Sequence, residues 1–309
     1  GHSDGNGLEL ETTDAGSTFN ITNYGSIHGG FAGVRLGAAL GTVDVINTGT
    51  ISGGSNAFSG TINSAGVAFT LHNSGTTVGT VFGGGGVDDI TNTGTMDGNI
   101  FLYNGNDVLT NGGDIYGNVN MGSGSATITN TGTISGDVTS SNTLFIYSTF
   151  RNSGEITGNI SLSGGGNTFN GMGGTVGGYI IGGAGADNYY IDTAASHGQG
   201  IQESSPTGFD HVYAGFSYVL LPNIEALTLM ESAGAANGTG NFGYNELKGN
   251  NSNNELHGLD GDDQLNGFQG ADTLAGGQGD DRLTGGSGAD VLNGGEGTDS
   301  AEYLLSQGW

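Results

Sequence analysis

The chain has 309 residues, with 67 Gly, 2 Pro and no Cys, and it sets 30 Asp+Glu against 4 Lys+Arg for a formal net charge of −26. That charge argues against nucleic acid and anionic membrane surfaces as partners. The lack of cysteine excludes disulfide staples, and no apolar run reaches the roughly 18 residues of a transmembrane helix. At 34% hydrophobic and 11% charged, the chain is polar but uncharged, as narrow solenoids are, and falls outside the highly charged disordered class.

The chain opens GHSDGNG, without the basic and apolar segments of a secretory leader, and Gly1–Ser3 read as a remnant foreign to the fold. Leu8 and Leu10 are expected to form an opening strand. From Phe19 a loose repeat built on N-x-G begins: NYGSI, NTGTI, NSGTT, NTGTM, NGGDI, NTGTI, NSGEI and GMGGT. Its key glycines, Gly25, Gly49, Gly75, Gly94, Gly113, Gly132, Gly154 and Gly173, recur at roughly 19 residues with insertions, the mark of a solenoid.

Aligned copies yield apolar columns. Two residues before the Asn stand Ile21, Val45, Leu71, Ile90, Leu109, Ile128, Phe150 and Phe169. Two after the Gly stand Ile27, Ile51, Thr77, Met96, Ile115, Ile134, Ile156 and Thr175, and four further on Phe31, Ser55, Val81, Ile100, Val119, Val138, Ile160 and Tyr179. Three apolar files per coil on short β-prone runs predict an all-β, parallel β-solenoid. The Asn column (Asn23, Asn47, Asn73, Asn92, Asn111, Asn130, Asn152) is expected to stack as a hydrogen-bonded ladder inside a turn.

Two Gly-rich, Asp-bearing half-coils, FGGGGVDDI at Phe82–Ile90 and YNGNDVL at Tyr103–Leu109, stack Asp88 on Asp107. Later coils carry Ala126, Ser148 and Asn167 there. A cation between the two carboxylates and a pair of solvated turn acids both remain open. Residues 191–239 interrupt the repeats; His197, Glu203, Asp210 and His211 fall there, without the spacing of a metal or acid–base motif.

Gly240–Glu302 is seven consecutive nonapeptides: GNFGYNELK, GNNSNNELH, GLDGDDQLN, GFQGADTLA, GGQGDDRLT, GGSGADVLN and GGEGTDSAE. Position eight (Leu247, Leu256, Leu265, Leu274, Leu283, Leu292) is its regular apolar position, too widely spaced for a helix face. A short strand pointing one leucine inward, followed by a Gly-rich turn, fits; two units make one coil. A flexible Gly/Asp linker is the bland alternative, against which the leucine file speaks. Units two apart share an edge, so one edge carries Asp263, Asp281 and Asp299 and the other Asp272 and Asp290. Carboxylates stacked about 4.8 Å apart repel unless a cation separates them, and an oxygen cage without His or Cys suits calcium better than magnesium.

These nonapeptides approach G-G-x-G-x-D-x-U-x and resemble the RTX, or hemolysin-type calcium-binding, repeats of secreted bacterial proteins. GGAGADNYYID at Gly182–Asp192 resembles one more unit, and FSYVLLPNIEALTL with NGTGN resembles the strand-rich lead-in to such arrays. By position the resemblance implies several calcium ions held by Asp263, Asp272, Asp281, Asp290 and Asp299, with Asp187 as a sixth ligand. Asn245 and Asn254 stand where Asp is expected, so their turns should be weaker sites. The resemblance also implies type I secretion, but no C-terminal signal is legible in Tyr303–Trp309, and the chain reads as a piece of a longer protein.

The expected organisation is a β-solenoid over residues 1–181, an RTX-like unit and strand-rich connection over 182–239, a calcium β-roll over 240–302 and a tail over 303–309. The rival to a structural role is a polysaccharide lyase or epimerase, because β-helices and RTX modules accompany such enzymes. That chemistry needs a cation and a base. Upstream of the array only Arg35 and Arg151 are always charged, in different coils, and Asp88/Asp89 is the only close carboxylate pair of the solenoid. No zinc-protease, nucleophile-elbow or phosphate-loop motif occurs. Ice binding by Thr-x-Thr arrays fails because copies such as Gly112/Asp114 break the pattern. The sequence thus predicts a non-enzymatic, secreted calcium-binding protein acting at the cell surface as adhesin, matrix or S-layer component. Its expected partners are calcium and either further copies of itself, through open solenoid ends, or surface glycans.

Overall fold

A computed structural model describes residues 5–10, 16–36, 40–60, 68–140, 147–162 and 164–303; Gly1–Ser3 and most of the tail lie outside them. Among the described residues the chain is strand and turn, relieved by two 3-10 turns at Ala194–His197 and Glu231–Ala233. Among these residues no helix is long and apolar enough to cross a membrane.

The backbone winds as a parallel β-solenoid. One 15-stranded parallel sheet runs from Ser17–Asn23 to Ser300–Tyr303. Register places Ile21, Val45, Leu71, Ile90, Leu109, Ile128, Phe150 and Phe169 in one inward column. The same column continues through Tyr189, Val212, Leu227, Leu247, Leu265, Leu283 and Ala301. The apolar position of the N-x-G repeat and position eight of alternate nonapeptides are therefore one file. Leu8–Leu10 is a strand, paired in parallel with Ala32–Leu36.

A 16-stranded sheet closes the first region's other side and carries two columns. One is Ile27, Ile51, Thr77, Met96, Ile115, Ile134, Ile156 and Val176. The other is Val34, Phe58, Val81, Ile100, Val119, Val138, Ile160, Ile180 and Ile201. The expected Thr175 and Tyr179 are thus each corrected by one residue, because the turn through Gly173, at φ 82°, lengthens that coil. Phe31 and Ser55 are also corrected: both are exposed, and bulges between Ser52 and Phe58 hand their places to Val34 and Phe58. In the last coils a five-stranded sheet aligns Tyr218, Gly238, Leu256, Leu274 and Leu292.

Each coil of the first region buries about three large apolar side chains, at roughly 1.5–3 kcal/mol apiece, with Phe58/Phe69 and Phe150/Phe169 packing at 5.3 and 5.7 Å between ring centroids. The Asn ladder forms as the spacing predicts. Each amide nitrogen from Asn23 to Asn130 donates to the Oδ1 of the next Asn at 2.8 Å, all of them buried.

Residues 191–239 depart from the repeat in sequence but not in winding. His211–Ala214 and Ala226–Leu229 extend the long sheet in register, so the coil path passes unbroken into the roll.

Candidate metal centre

In the roll each position-six aspartate sits in the turn just before a strand, where its carboxylate meets a backbone N–H of the coil below. Asp263 Oδ1 accepts from Asn245 N at 2.7 Å, Asp281 Oδ1 from Asp263 N at 2.8 Å and Asp299 Oδ1 from Asp281 N at 3.0 Å. On the opposite edge Asp272 Oδ1 accepts from Asn254 N at 2.8 Å and Asp290 Oδ1 from Asp272 N at 3.0 Å. The two edges therefore carry the two sets that spacing assigns. Burial is complete for Asp263, Asp272 and Asp281, partial for Asp290 and lost at Asp299.

One oxygen of each buried carboxylate is spent on that bond; the other is not. Oδ2 of Asp263, Asp272 and Asp281 is buried without a hydrogen-bond partner, a costly state for a polar atom. Each faces the first glycine of its own unit and a carbonyl of the next coil. A Cβ placed on Gly258 would strike Asp263 Oδ2 and come within 2.6 Å of Gly276 O. Gly267 stands likewise to Asp272 Oδ2 and Gly285 O at 2.7 Å, and Gly276 to Asp281 Oδ2 and Gly294 O at 2.6 Å. The glycines keep open a cradle of carboxylate and carbonyl oxygens. Burial raises the Asp263 carboxyl to about 7, with Asp281, Asp262 and Asp260 adding repulsion, and burial likewise raises Asp272 and Asp281. Orphaned hard oxygens, repeated carbonyls and uncompensated negative charge fit a calcium ion, which takes roughly 6–8 oxygen ligands.

The first two units close differently. Asn245 Nδ2 donates to Ile224 O at 3.2 Å and Asn254 Nδ2 to Ala236 O at 2.7 Å. Their Oδ1 atoms stand at the cradle position and accept from Asn241 N at 2.6 Å and Asn250 N at 2.8 Å, so both ends of each amide are satisfied without a cation.

Asp88 and Asp107 do stack, fully buried, but their cradle is different. Asp88 uses both oxygens, Oδ1 from Phe69 N at 2.9 Å and Oδ2 from Gly84 N at 2.7 Å. Asp107 Oδ1 accepts from Asp88 N at 2.9 Å, and its Oδ2 is unpartnered. Above Gly83, Leu102 stands where the roll carries glycine; its Cδ2 lies 2.9 Å from a Cβ built on Gly83. An apolar side chain lines that face, so the pair fits a cation less well than the roll does. Burial raises Asp88 to about 8, aided by Asp107, and Asp107 to about 7.

The column of these acids runs on. Ser148 Oγ accepts from Ala126 N, Asn167 Oδ1 from Ser148 N, Asp187 Oδ1 from Asn167 N, Asp210 Oδ1 from Asp187 N and Glu225 Oε2 from Asp210 N. Asp210 and Glu225 were not legible as members of it, although each directly precedes an inward-alternating strand, as Asp187 does. His197 and His211 do not join them: His197 stacks on Phe216 at 5.6 Å, and His211 lies against Tyr213 at 4.0 Å and bonds Thr228 Oγ1 at 2.8 Å.

Residues 239–267 and 266–301 match the family described as the RTX calcium-binding nonapeptide repeat, in four copies. The roll is an RTX calcium-binding array. No curated protein and no solved structure matches the chain. The RTX match thus covers the roll, whose long sheet continues into the N-x-G solenoid.

Proposed function

We propose that this RTX solenoid is a secreted, non-enzymatic rod that acts at the cell surface as adhesin, matrix or S-layer material and folds its roll on calcium outside the cell. The observation that carries the reading is the single 15-stranded sheet, whose coils repeat in register over the described residues from Ser17–Asn23 to Ser300–Tyr303. Arg35 is engaged by Glu9, and Arg151 lies in an open groove with Asn130, Asn170 and Met172, so the two cations stand apart in different coils. Calcium supplies the positive charge that lets the buried aspartates ionise. At low cytosolic calcium the roll stays unfolded and competent for export; weak extracellular-type sites, with Kd of roughly 10⁻⁴–10⁻³ M, fill outside. The acidic flanks of such rods also suit calcium bridging between copies.

The test is light scattering of the purified chain as calcium is raised from chelator to millimolar levels. Growth into large particles that chelator reverses is expected. A compact monomer throughout overturns self-assembly.

A second reading, a glycan-binding part of a polysaccharide-active protein, is favoured by one observation. On the outer face of the long sheet Tyr190 and Tyr213 stack at 4.4 Å and 5°. Further along that face, Lys248 and Arg282 line one groove. Retardation of the monomer in gels containing an acidic polysaccharide, lost in Tyr213→Ala, selects this reading.

A further inference from the structure

Three carboxylates outside the RTX array converge where the N-x-G solenoid passes into the roll. Asp187, Glu203 and Asp210 each bring an oxygen within 4.8 Å of the other two, and all three are buried. They come from different parts of two coils. Asp187 and Asp210 are successive members of the acid column, joined by Asp187 N donating to Asp210 Oδ1 at 2.7 Å. Glu203 follows the strand Gly200–Gln202, which pairs with Tyr179–Ile181, and so stands directly beyond Gly182.

Gly182 explains how Glu203 gets in. The matching position is Gly83, Leu102, Met121, Ser140 and Leu162 in earlier coils, and the one directly below Gly182 is the buried Leu162. Glycine there removes the apolar plug, and a Cβ on Gly182 would strike both Glu203 Oε1 and the Tyr189 hydroxyl. Glu203 occupies the vacated volume and lies over the turn that holds Asp187.

Glu203 Oε2 sets this cluster apart from an ordinary group of acids. The residue is 8% exposed, its Oε1 accepts from Tyr189 OH, and its Oε2 is buried with no partner. Every charged group that acts on Glu203, namely Asp210, Asp187 and Glu225, is itself acidic. A buried carboxylate oxygen with no donor and only anionic neighbours is expensive unless a cation meets it.

We propose that Asp187, Glu203 and Asp210 form a separate cation site at the junction, taking one calcium ion, which locks the last coil of the N-x-G solenoid onto the coils that lead into the roll. The donors are hard oxygens with neither nitrogen nor sulfur, which selects a hard divalent ion. The site differs from the roll's in construction: a glutamate from a neighbouring coil takes the place that a glycine carbonyl holds there. It is also independent of the roll. Asp187 is the only one of the three that stands in a nonapeptide-like unit.

Native mass spectrometry of the full chain in calcium counts the ions. Glu203→Gln preserves the side chain's shape and its acceptor for Tyr189, and is expected to bind one ion fewer than the natural chain while the roll's calcium-induced transition stays where it was. An unchanged count overturns the site and assigns the cluster to bound protons. Should Glu203→Gln fail to fold, the chain carrying Asp263→Asn, Asp272→Asn, Asp281→Asn, Asp290→Asn and Asp299→Asn serves instead: it is expected to retain one ion, and retention of none overturns the site. A natural chain that binds a single ion, lost in Glu203→Gln and kept in the five-fold variant, supports the junction site while sinking the calcium reading of the roll.

Discussion

The two halves of the solenoid solve one problem with two side chains. Both stack polar residues on successive coils, most of them buried inside a turn. In the first region the residue is asparagine, which donates and accepts, so the ladder from Asn23 to Asn152 closes on itself at 2.8 Å per rung. In the roll it is aspartate, which only accepts. One oxygen takes the N–H of the coil below and the other is stranded. The apolar side differs in the same direction, with about three inward files per coil against two leucines. The Asn ladder is complete as a polypeptide; the roll leaves carboxylate oxygens that a cation would complete.

The largest expected effect follows from that contrast. Chelation should abolish hydrogen-exchange protection in the roll strands Glu255–Asp260, Thr273–Gln278 and Arg282–Gly286, while Val108–Asn111 and Thr127–Asn130 keep theirs. Equal loss in both regions breaks the comparison.

Next in size is an aspartate placed in the Asn ladder. Asn111 Nδ2 serves Asn130 Oδ1 at 2.8 Å and the carbonyls of Gly113 and Thr133 at 3.1 Å. Asn111→Asp removes those donors and buries a charge, and should cost roughly 2–5 kcal/mol in denaturant unfolding. An unaltered midpoint would show that the ladder is ornamental.

Within the roll, Asp281 stands inside its edge and Asp299 lies exposed at the end of the same edge. Asp281→Ala should raise the calcium midpoint followed by circular dichroism several-fold more than Asp299→Ala. Equal shifts count against ions shared between coils.

The smallest effect is that of pH, and its sign depends on calcium. Burial raises Asp263 from 3.8 to about 7, so the calcium-free fold holds its proton more tightly than the unfolded chain does. That contribution is present below about pH 4 and fades as pH rises through about 7. Calcium needs the ionised carboxylate, so its midpoint should rise as pH falls from about 8 to about 6. Titrations with and without calcium that move the same way would contradict the cradle.

Much of this was legible in the sequence because a repeat declares its own register. The inward files ending in Phe169 and Leu283, the Asn ladder, and the assignment of Asp263/Asp281/Asp299 and Asp272/Asp290 to opposite edges all follow from counting residues at a fixed period. Two residues on a coil's face are neighbours in space whenever they are one period apart. Where the period slips, counting fails: the bulges between Ser52 and Phe58 and the long turn at Gly173 each displaced a column.

The junction lay wholly beyond counting. Glu203 belongs to no repeat, and its nearness to Asp187 and Asp210 depends on Gly182 having left a gap one coil below. Likewise, only the folded chain shows that Asn245 and Asn254 turn their amides onto carbonyls and that Leu102 covers the Asp88 turn. The sequence by itself determined the period, the inward faces and the oxygen-rich edge. The tertiary structure decided which oxygens remain without a partner, because that depends on what the next coil places against them.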